Sequence, residues 1–444
     1  MHIESLIREF RKRGTRESLL EAGKRVSHID LYESIQKNIE KLKSLDARFI
    51  FLSSDYSKES ISFLLALLSL NKVVCPIPPD FMLDEQFDYL GSLGGDLVVT
   101  IQEGEESFFS IEKREIPPIL NTFYESKKPG LVVLTSGSSG SPKAALYDFE
   151  SWLGRFDFEQ DRPDSRSPLF LKFNHLGGLQ TLFSQLSCGG VSVLLKSRRP
   201  EEIIKLLLDN EITFLPVTPS FLSVLDYHIS HFTKGLTFSS VSLVTLGAEP
   251  VHEKSIKNVH QYFPNAKVIQ TYGLTETGTL KTKTVKNNPS YLDFDCDVNQ
   301  YRVVEGRLEV KSPYMMIGFL NAESPFSDDG FLKTGDSVEL KDKTLRIIGR
   351  MEDRINVGGE KVSPLEIEEV ILMHPMVIDA VVFAKPHDML GQVVCAEVVS
   401  TALTEKDLSG LKTFCLQYLE KYKVPVNIEL VEKIALSNNF KKKR

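Results

Sequence analysis

The sequence has no surplus of positive charge. Its 53 lysines and arginines are outnumbered by 60 aspartates and glutamates, and the formal net charge is −7. A general nucleic-acid binder needs an excess of cations to neutralise phosphates, so the composition argues against nucleic acid as a partner. The one dense basic run is KKKR at residues 441–444.

Cysteine is sparse, and the cysteine spacing that binds metals is absent. The five cysteines are Cys75, Cys188, Cys296, Cys395 and Cys415, and no two of them form a C-x-x-C pair. This pattern favours reduced, mostly buried thiols in a cytoplasmic protein over a disulfide framework or a zinc site.

Long apolar runs are also missing. The longest, residues 61–70, is about half of the roughly 20 residues that a membrane-spanning helix needs, so we expect a buried helix there and no membrane span. Residues 1–14 are polar and charged, and they lack the apolar stretch of a signal peptide.

The sequence does contain a regular alternation of helix and strand. Residues 31–45 and 60–70 have helical periodicity, while residues 49–52, 73–77 and 97–101 are short apolar strands. The same alternation continues to about residue 270. It predicts an α/β fold with parallel-rich sheets covered by helices.

The pattern changes twice later in the chain. Short strands dominate after about residue 286, and helices return after residue 350. We therefore expect a large N-terminal domain that includes a small β-subdomain, followed by a small α+β C-terminal domain. The 444 residues are enough for roughly two or three domains.

The most informative segment is LVVLTSGSSGSPK at residues 131–143. Its glycines let the backbone approach a ligand closely, and its hydroxyl and N–H groups can wrap phosphate oxygens. A Walker A loop would need G-x-x-x-x-G-K-[ST]. Pro142 precedes Lys143 and Ala144 follows it, which disfavours a P-loop NTPase.

Three later segments carry further candidate chemistry. IQTYGLTETG at 269–278 sets an aromatic beside a glycine, which suits base stacking, and a carboxylate beside a hydroxyl, which suits Mg²⁺ with phosphates. GFLKTGD at 330–336 ends in a candidate acceptor for ribose hydroxyls, and GRMEDRINVGGEKVSPLEIE at 349–368 contains a double-glycine turn and a helix start. Taken alone, the segments at 269–278 and 330–336 are also consistent with ordinary turns.

In their order along the chain, the four segments resemble the motifs of the adenylate-forming superfamily: acyl- and aryl-CoA ligases, luciferases and adenylation domains of peptide synthetases. FNHLGG at 173–178, GAEP at 247–250 and residues 374–380 are similar to further motifs of that family. The resemblance covers nearly the whole chain, which is similar to the shorter CoA ligases such as those acting on succinylbenzoate. It implies an AMP-binding (adenylation) domain at 1–350 and a small, mobile C-terminal domain at 351–444.

The resemblance also implies roles for particular residues. The implied phosphate loop comprises Thr135, Ser136, Gly137, Ser138, Ser139, Gly140 and Lys143. The implied adenine and ribose contacts are Gly247, Ala248, Glu249, Tyr272, Gly273, Asp336 and Arg350. Thr275 and Glu276 are implied ligands of Mg²⁺, and Glu276 is also implied to be catalytic. Gly358 and Gly359 are implied to admit a pantetheine arm. His175 is implied to lie near the carboxylate pocket as a catalytic residue, although a core histidine is an equal alternative.

The family's C-terminal motif, roughly P-x-T-x-x-G-K-x-x-R, matches residues 435–444 imperfectly. Lys441 falls on its catalytic lysine and Arg444 on its arginine, whereas Ala435 and Phe440 replace its proline and glycine. If the register shifts, Lys442 or Lys443 takes the place of Lys441. A merely basic, solvated tail is the other alternative.

The implied reaction activates a small carboxylic acid with ATP and Mg²⁺ to an acyl-adenylate, and then transfers the acyl group to the thiol of CoA. Two alternatives stay open. The acceptor is an acyl carrier protein instead of CoA, or the chain is a catalytically weak homologue that only binds nucleotide.

Overall fold

The structure is a computed structural model of the chain. It describes residues 2–81, 84–112, 114–135, 142–158, 160–195, 197–233, 235–285, 291–294, 296–400, 402–435 and 442.

The helices of this described part are distributed along the whole chain. They are α1 (His2–Arg13), α2 (His28–Leu42), α3 (Lys58–Ser69), α4 (Asp84–Ser92), α5 (Pro118–Glu125), α6 (Phe149–Leu153), α7 (Leu176–Cys188), α8 (Pro200–Asp209), α9 (Pro219–Phe232), α10 (Glu253–Tyr262), α11 (Pro364–Met373) and α12 (Leu408–Cys415). Single 3₁₀ turns lie at Glu405–Asp407 and Lys421–Lys423.

The strands alternate with these helices and become more frequent after α10. They are β1 (Glu17–Glu21), β2 (Lys24–Ser27), β3 (Phe49–Ser53), β4 (Val73–Ile77), β5 (Leu97–Gln102), β6 (Glu105–Ser110), β7 (Gly130–Thr135), β8 (Lys143–Asp148), β9 (Arg166–Pro168), β10 (Val191–Val193), β11 (Phe214–Val217), β12 (Leu243–Leu246), β13 (Lys267–Gln270), β14 (Tyr272–Leu274), β15 (Gly278–Leu280), β16 (Thr282–Thr284), β17 (Leu292–Phe294), β18 (Gln300–Val304), β19 (Arg307–Lys311), β20 (Gly318–Phe319), β21 (Leu332–Lys341), β22 (Thr344–Arg350), β23 (Ile355–Val357), β24 (Glu360–Val362), β25 (Val377–His387), β26 (Gly391–Ser400) and β27 (Asn427–Leu430).

Contacts divide the chain into two compact units. The first comprises Met1–Leu215, Gly273–Leu280 and Ser312–Pro325, and the second comprises Pro216–Tyr272, Lys281–Lys311 and Phe326–Arg444. The sequence predicts a domain boundary after residue 350, whereas these two units divide the chain at other positions. The boundary after residue 350 stays a prediction.

The first unit is built around a seven-stranded sheet with the order β20-β8-β7-β4-β3-β5-β6. Its central pairs, β4 with β7, β3 with β4 and β3 with β5, are parallel, whereas β6 and β8 are antiparallel to their neighbours. Strands β3 and β4 are buried at every position, as expected for central strands with helices on both faces.

Helix α3 shows why this unit has a large core. Ser57 caps its first turn in a reciprocal capping box with Ser60, and the run from Ser60 to Leu68 is buried throughout. The expected buried helix at 61–70 is therefore confirmed. None of the helices in the described ranges combines the length and the apolar character that a membrane crossing requires.

Three sheets of the described residues lie wholly or mostly in the second unit. A three-stranded sheet has the order β11-β12-β13, an antiparallel six-stranded sheet has the order β16-β17-β22-β21-β19-β18, and a third sheet has the order β24-β23-β26-β25 with β27 paired to β26. In the six-stranded sheet Asp336 lies directly opposite Arg350. These sheets confirm the predicted α/β class, the β-rich segment after residue 286, and the return of helices after residue 350.

Candidate active site

The two ends of the predicted phosphate loop lie side by side. Thr135, the last residue of β7, pairs with Lys143, the first residue of β8. The side chain of Asn321 fixes the exit of the loop, since its Oδ1 accepts from the N–H of Ala144 (2.9 Å) and its Nδ2 donates to the carbonyl of Pro142 (2.9 Å). Ser136, Gly137, Ser138, Ser139 and Gly140 lie outside the described residues.

A tyrosine also holds this exit. The hydroxyl of Tyr89 donates to the carbonyl of Pro142 at 2.6 Å, and burial raises the pKa of Tyr89 to about 12. The hydroxyl therefore keeps its proton, and its role as a donor, across the physiological range. Sequence reasoning missed Tyr89 and Asn321, because both lie far from the loop along the chain.

Thr275 and Glu276 lie at the tip of the short hairpin formed by β14 and β15, and both are partly exposed. The hydroxyl of Tyr147, in β8, donates to the carbonyl of Thr275. The N–H of Met316 donates to the carbonyl of Glu276 at 3.0 Å. The strand that leaves the phosphate loop thus contacts the hairpin tip directly, within one unit.

A partly buried arginine supports the same hairpin. Arg155 donates to the carbonyl of Thr277 at 3.3 Å and to that of Tyr314 at 2.8 Å. Burial lowers the pKa of Arg155 to about 10. Gly278 has φ +63°, and a Cβ at that position would stand 2.2 Å from the Arg155 guanidinium. The arginine and the glycine therefore fit each other closely, which motif reasoning did not find.

The donor set at the hairpin tip fits Mg²⁺. Mg²⁺ keeps several of its waters and is usually bound by one or two carboxylates together with phosphates of the substrate. One carboxylate at Glu276 beside one hydroxyl at Thr275 meets that requirement. Among the described residues, no group of three or more His, Cys, Asp or Glu side chains forms a complete protein cage for a metal.

His175 caps helix α7. Its Nδ1 accepts a hydrogen bond from the N–H of Gly177 at 3.2 Å, and the side chain is partly exposed. Because Nδ1 is an acceptor, the neutral ring carries its proton on Nε2. The helix start explains why a polar residue stands here, and the expected role near a carboxylate pocket stays a prediction.

The second unit brings Tyr272, Asp336 and Arg350 together. The hydroxyl of Tyr272 donates to Oδ2 of Asp336 at 2.6 Å, and Nε of Arg350 lies 3.3 Å from Oδ1. Asp336 is only 4% exposed. Burial raises the pKa of Asp336, although Arg350 and Tyr272 oppose that rise. The carboxylate is therefore desolvated but held by two donors.

The segment Gly247–Ala248–Glu249 follows β12 in an unusual backbone conformation. Ala248 has φ +64°, which non-glycine residues rarely adopt, and a Cβ on Gly247 would stand 2.2 Å from Oγ1 of Thr271. Glu249 accepts from the N–H (3.0 Å) and the hydroxyl (2.8 Å) of Ser220 at the start of α9. Its carboxylate is thus fixed by the N-terminus of helix α9.

Lys442 is the described residue of the basic tail. Its Nζ donates to Oδ1 of Asp379 and to the carbonyl of Ala380, both at 2.7 Å, and its backbone N–H donates to Glu249 at 3.0 Å. Burial by itself lowers the pKa of Lys442, but Asp379 and other carboxylates outweigh it, so the pKa is raised. Lys441 and Arg444 lie outside the described residues.

Gly358 and Gly359 form the turn between β23 and β24, with φ +61° and +102°. The N–H of Gly358 donates to the carbonyl of Leu390 at 2.9 Å, and that of Gly359 donates to Oδ1 of Asn356 at 3.1 Å. Side chains are strained at these φ values, which explains the double glycine structurally.

Comparison with known proteins extends these observations. A family model for the AMP-binding enzyme matches residues 42–295, and a model for the AMP-binding enzyme C-terminal domain matches residues 366–441. A protein named 4-coumarate–CoA ligase-like 6, from Arabidopsis thaliana, is 26% identical over 377 residues, which are 75% of this chain and 66% of that relative. The 2-succinylbenzoate–CoA ligase of Bacillus cereus is 29% identical over 327 residues, which are 68% of this chain and 66% of that relative. These alignments span just under two thirds of the relatives' own length.

A solved structure shares the fold. The o-succinylbenzoate CoA synthetase MenE from Bacillus subtilis, in complex with its acyl-adenylate intermediate, has a TM-score of 0.76 at 20% identity. The alignment covers 98% of this chain and 96% of that one. Together with the family-model matches, this confirms the resemblance found in the sequence: the chain belongs to the AMP-binding enzyme family.

Proposed function

We propose that the chain is an AMP-forming acid–thiol ligase. It joins a small carboxylic acid to AMP with ATP, and then transfers the acyl group to the thiol of CoA. The observation that carries the proposal is the arrangement of Tyr272, Asp336 and Arg350. Two motifs 64 residues apart in sequence meet at one desolvated carboxylate, as a ribose site requires. The relatives named as CoA ligases support the choice of acceptor.

In the first step a carboxylate oxygen of the acid attacks the α-phosphorus of ATP, and pyrophosphate leaves. Both reactants are anions, so the protein must align them and compensate their charge. Asp336 and Arg350 bind the ribose, the loop from Thr135 to Lys143 holds the outgoing phosphates, and Lys441 contacts the charge that develops on the α-phosphate. Lysine suits this role as a compact charge on a long stem.

Mg²⁺, when bound, screens the negative charge of the phosphates. Glu276 and Thr275 are the residues that would hold it, at a hairpin tip fixed by Tyr147 and Arg155. Because Arg155 and Tyr147 act on backbone carbonyls, they set the position of the tip without using the side chains that bind the ion.

In the second step the thiol sulfur attacks the acyl carbonyl, its proton leaves, and AMP departs. Lys441 must first move away. We place the hinge at Glu352, so that residues 351–444 rotate and carry the Gly358–Gly359 turn to the acyl-adenylate. A turn without side chains leaves room for a pantetheine arm.

CoA rather than a carrier protein is the proposed acceptor, and the cytoplasm is the proposed location. All five cysteines are unpaired, as in a reducing compartment. An acyl carrier protein is the alternative acceptor, and a nucleotide-binding homologue without activity is the alternative function.

Carboxylate-dependent ATP–pyrophosphate exchange tests the first step. The acid panel includes 4-coumarate, 2-succinylbenzoate and short aliphatic acids, with and without a chelator of Mg²⁺. Exchange with at least one acid, followed by AMP release on adding CoA, is the expected result. ATP binding without exchange with any acid would support the inactive homologue. Release of inorganic phosphate in place of pyrophosphate would indicate an ATPase.

The Lys441→Ala variant separates the two steps. We expect it to lose adenylation while retaining thioester formation from a supplied acyl-adenylate, because Lys441 acts only in the first step. Lys385→Ala removes an exposed lysine from β25 and is the matched control. Equal loss of both steps in Lys441→Ala would reject the assigned role.

A further inference from the structure

The sequence predicts separate roles for Tyr272 and Asp336. The ring of Tyr272 is expected to stack on adenine, and the carboxylate of Asp336 is expected to accept hydrogen bonds from the ribose hydroxyls. In the structure they are one unit, because the hydroxyl of Tyr272 donates to Oδ2 of Asp336 at 2.6 Å. Tyr272 is 7% exposed and Asp336 is 4% exposed, so water does not compete strongly for this bond.

The direction of the Tyr272 hydroxyl is set by its surroundings. The ring packs edge-on against Phe294, with 5.8 Å between the ring centroids and 73° between the planes. Asp336 is fixed independently, since its N–H donates to Oγ1 of Thr334 at 3.1 Å and it lies opposite Arg350 across β21 and β22. The hydrogen bond therefore joins two groups that are each held in place.

The contacts divide the carboxylate between its two oxygens. Tyr272 uses Oδ2, and Nε of Arg350 lies 3.3 Å from Oδ1. A carboxylate has about four acceptor positions, so these two donors leave room for two more hydrogen bonds. Two adjacent hydroxyls on one ring, as in ribose, match that capacity.

We propose that Tyr272 is a positioning residue that acts through Asp336, so that its hydroxyl sets the discrimination between ribonucleotides and nucleotides lacking ribose hydroxyls. This proposal rests on the proposed function, in which Asp336 accepts from the ribose of ATP. Stacking of the Tyr272 ring on adenine is a separate role that would not depend on the hydroxyl.

The charge of Asp336 gives a second readout. Burial raises the pKa of Asp336, Arg350 and the Tyr272 hydroxyl lower it, and Asp353 raises it. Removing the hydroxyl takes away a donor that favours the ionised form, so the pKa rises further. Only the ionised carboxylate accepts from both ribose hydroxyls. The acidic limb of the pH profile should therefore move to higher pH in Tyr272→Phe.

The test measures equilibrium binding of ATP and of 2′,3′-dideoxy-ATP to wild type and to Tyr272→Phe. We expect affinity for ATP to fall roughly ten- to hundred-fold, as for loss of a hydrogen bond to a charged group, while affinity for the dideoxy nucleotide changes little. Tyr262→Phe is the matched control, because the hydroxyl of Tyr262 also donates to an aspartate, Asp226, in the same unit. It should leave the ratio of the two affinities unchanged.

Three results would overturn the proposal. Tyr272→Phe could lose the same affinity for both nucleotides, it could lose affinity for neither, or the wild type could bind ATP and 2′,3′-dideoxy-ATP with equal affinity. The same substitution in an Asp336→Asn background provides a second test. Adding Tyr272→Phe to it should not reduce ATP affinity further, and an additional loss would again contradict the proposal. Because binding is measured without turnover, these outcomes are separate from a failure of pyrophosphate exchange, which would count against the proposed function alone.

Discussion

Gly278→Ala should destabilise the first unit far more than a typical substitution of a turn glycine. Two effects act at this position. The backbone φ of +63° costs an L-residue roughly 1–2 kcal/mol. In addition, the new Cβ would stand 2.2 Å from Nη1 of Arg155, so the guanidinium must move.

The movement of Arg155 has a cost of its own. Its bonds to the carbonyls of Thr277 (3.3 Å) and Tyr314 (2.8 Å) cannot both survive the shift. Losing one hydrogen bond from a charged donor costs about 1.5–3 kcal/mol. The two effects together predict a loss of roughly 2.5–5 kcal/mol in the free energy of unfolding.

Urea unfolding followed by tryptophan fluorescence measures this loss. The single tryptophan, Trp152, is fully buried, and the Arg155 guanidinium lies 5.3 Å from its ring centroid, so the signal reports on the first unit and on this site. Gly104→Ala is the matched control in the same unit. It also has a positive φ, +85°, but nothing lies within 4 Å of the added Cβ.

Gly104→Ala should therefore show only the backbone cost of about 1–2 kcal/mol. Equal losses in the free energy of unfolding of the two variants would refute the reasoning. They would mean that Arg155 moves away from the new methyl group without any loss of stability.

Two further predictions concern the tail and the thiols. Lys442→Met should speed amide hydrogen exchange at residues 379–382, because Asp379 loses an ammonium donor at 2.7 Å. Lys385→Met, at an exposed position of the same strand, should leave that exchange unchanged. Equal exchange rates in the two variants would contradict the contact between Lys442 and Asp379. Iodoacetamide should modify the exposed Cys296 in the native protein and leave Cys75 unmodified, because Cys75 is fully buried and burial raises the pKa of its thiol. Mass spectrometry measures the labelling of each cysteine. Equal labelling rates for the two would contradict the burial of Cys75.

Local sequence patterns predicted the secondary-structure elements well where a short apolar run ends at clear turn residues. The strand at 73–77 has the predicted bounds, since it is a short apolar run that ends at two prolines. The helix expected from residue 60 begins at Lys58, because the capping box at Ser57 sets its start. Residues 405–423 contain a 3₁₀ turn, helix α12 and a second 3₁₀ turn, a division that apolar periodicity alone does not reveal.

The residues that support the candidate site were harder to predict. Asn321 holds Pro142 and Ala144 from 179 and 177 residues away, and Arg155 reaches Thr277 across 122 residues. No local pattern marks either one, because their partners are backbone carbonyls and N–H groups, which every residue carries.

The sequence by itself determined the α/β class, the order of the motifs and the family, because these depend on hydrophobic periodicity and on short stretches of special residues. Only the tertiary structure decided that Tyr272 bonds to Asp336, that Arg155 meets Gly278, and that Lys442 pairs with Asp379. Those contacts join segments far apart in sequence, and their geometry depends on how strands align and side chains pack after the chain has folded.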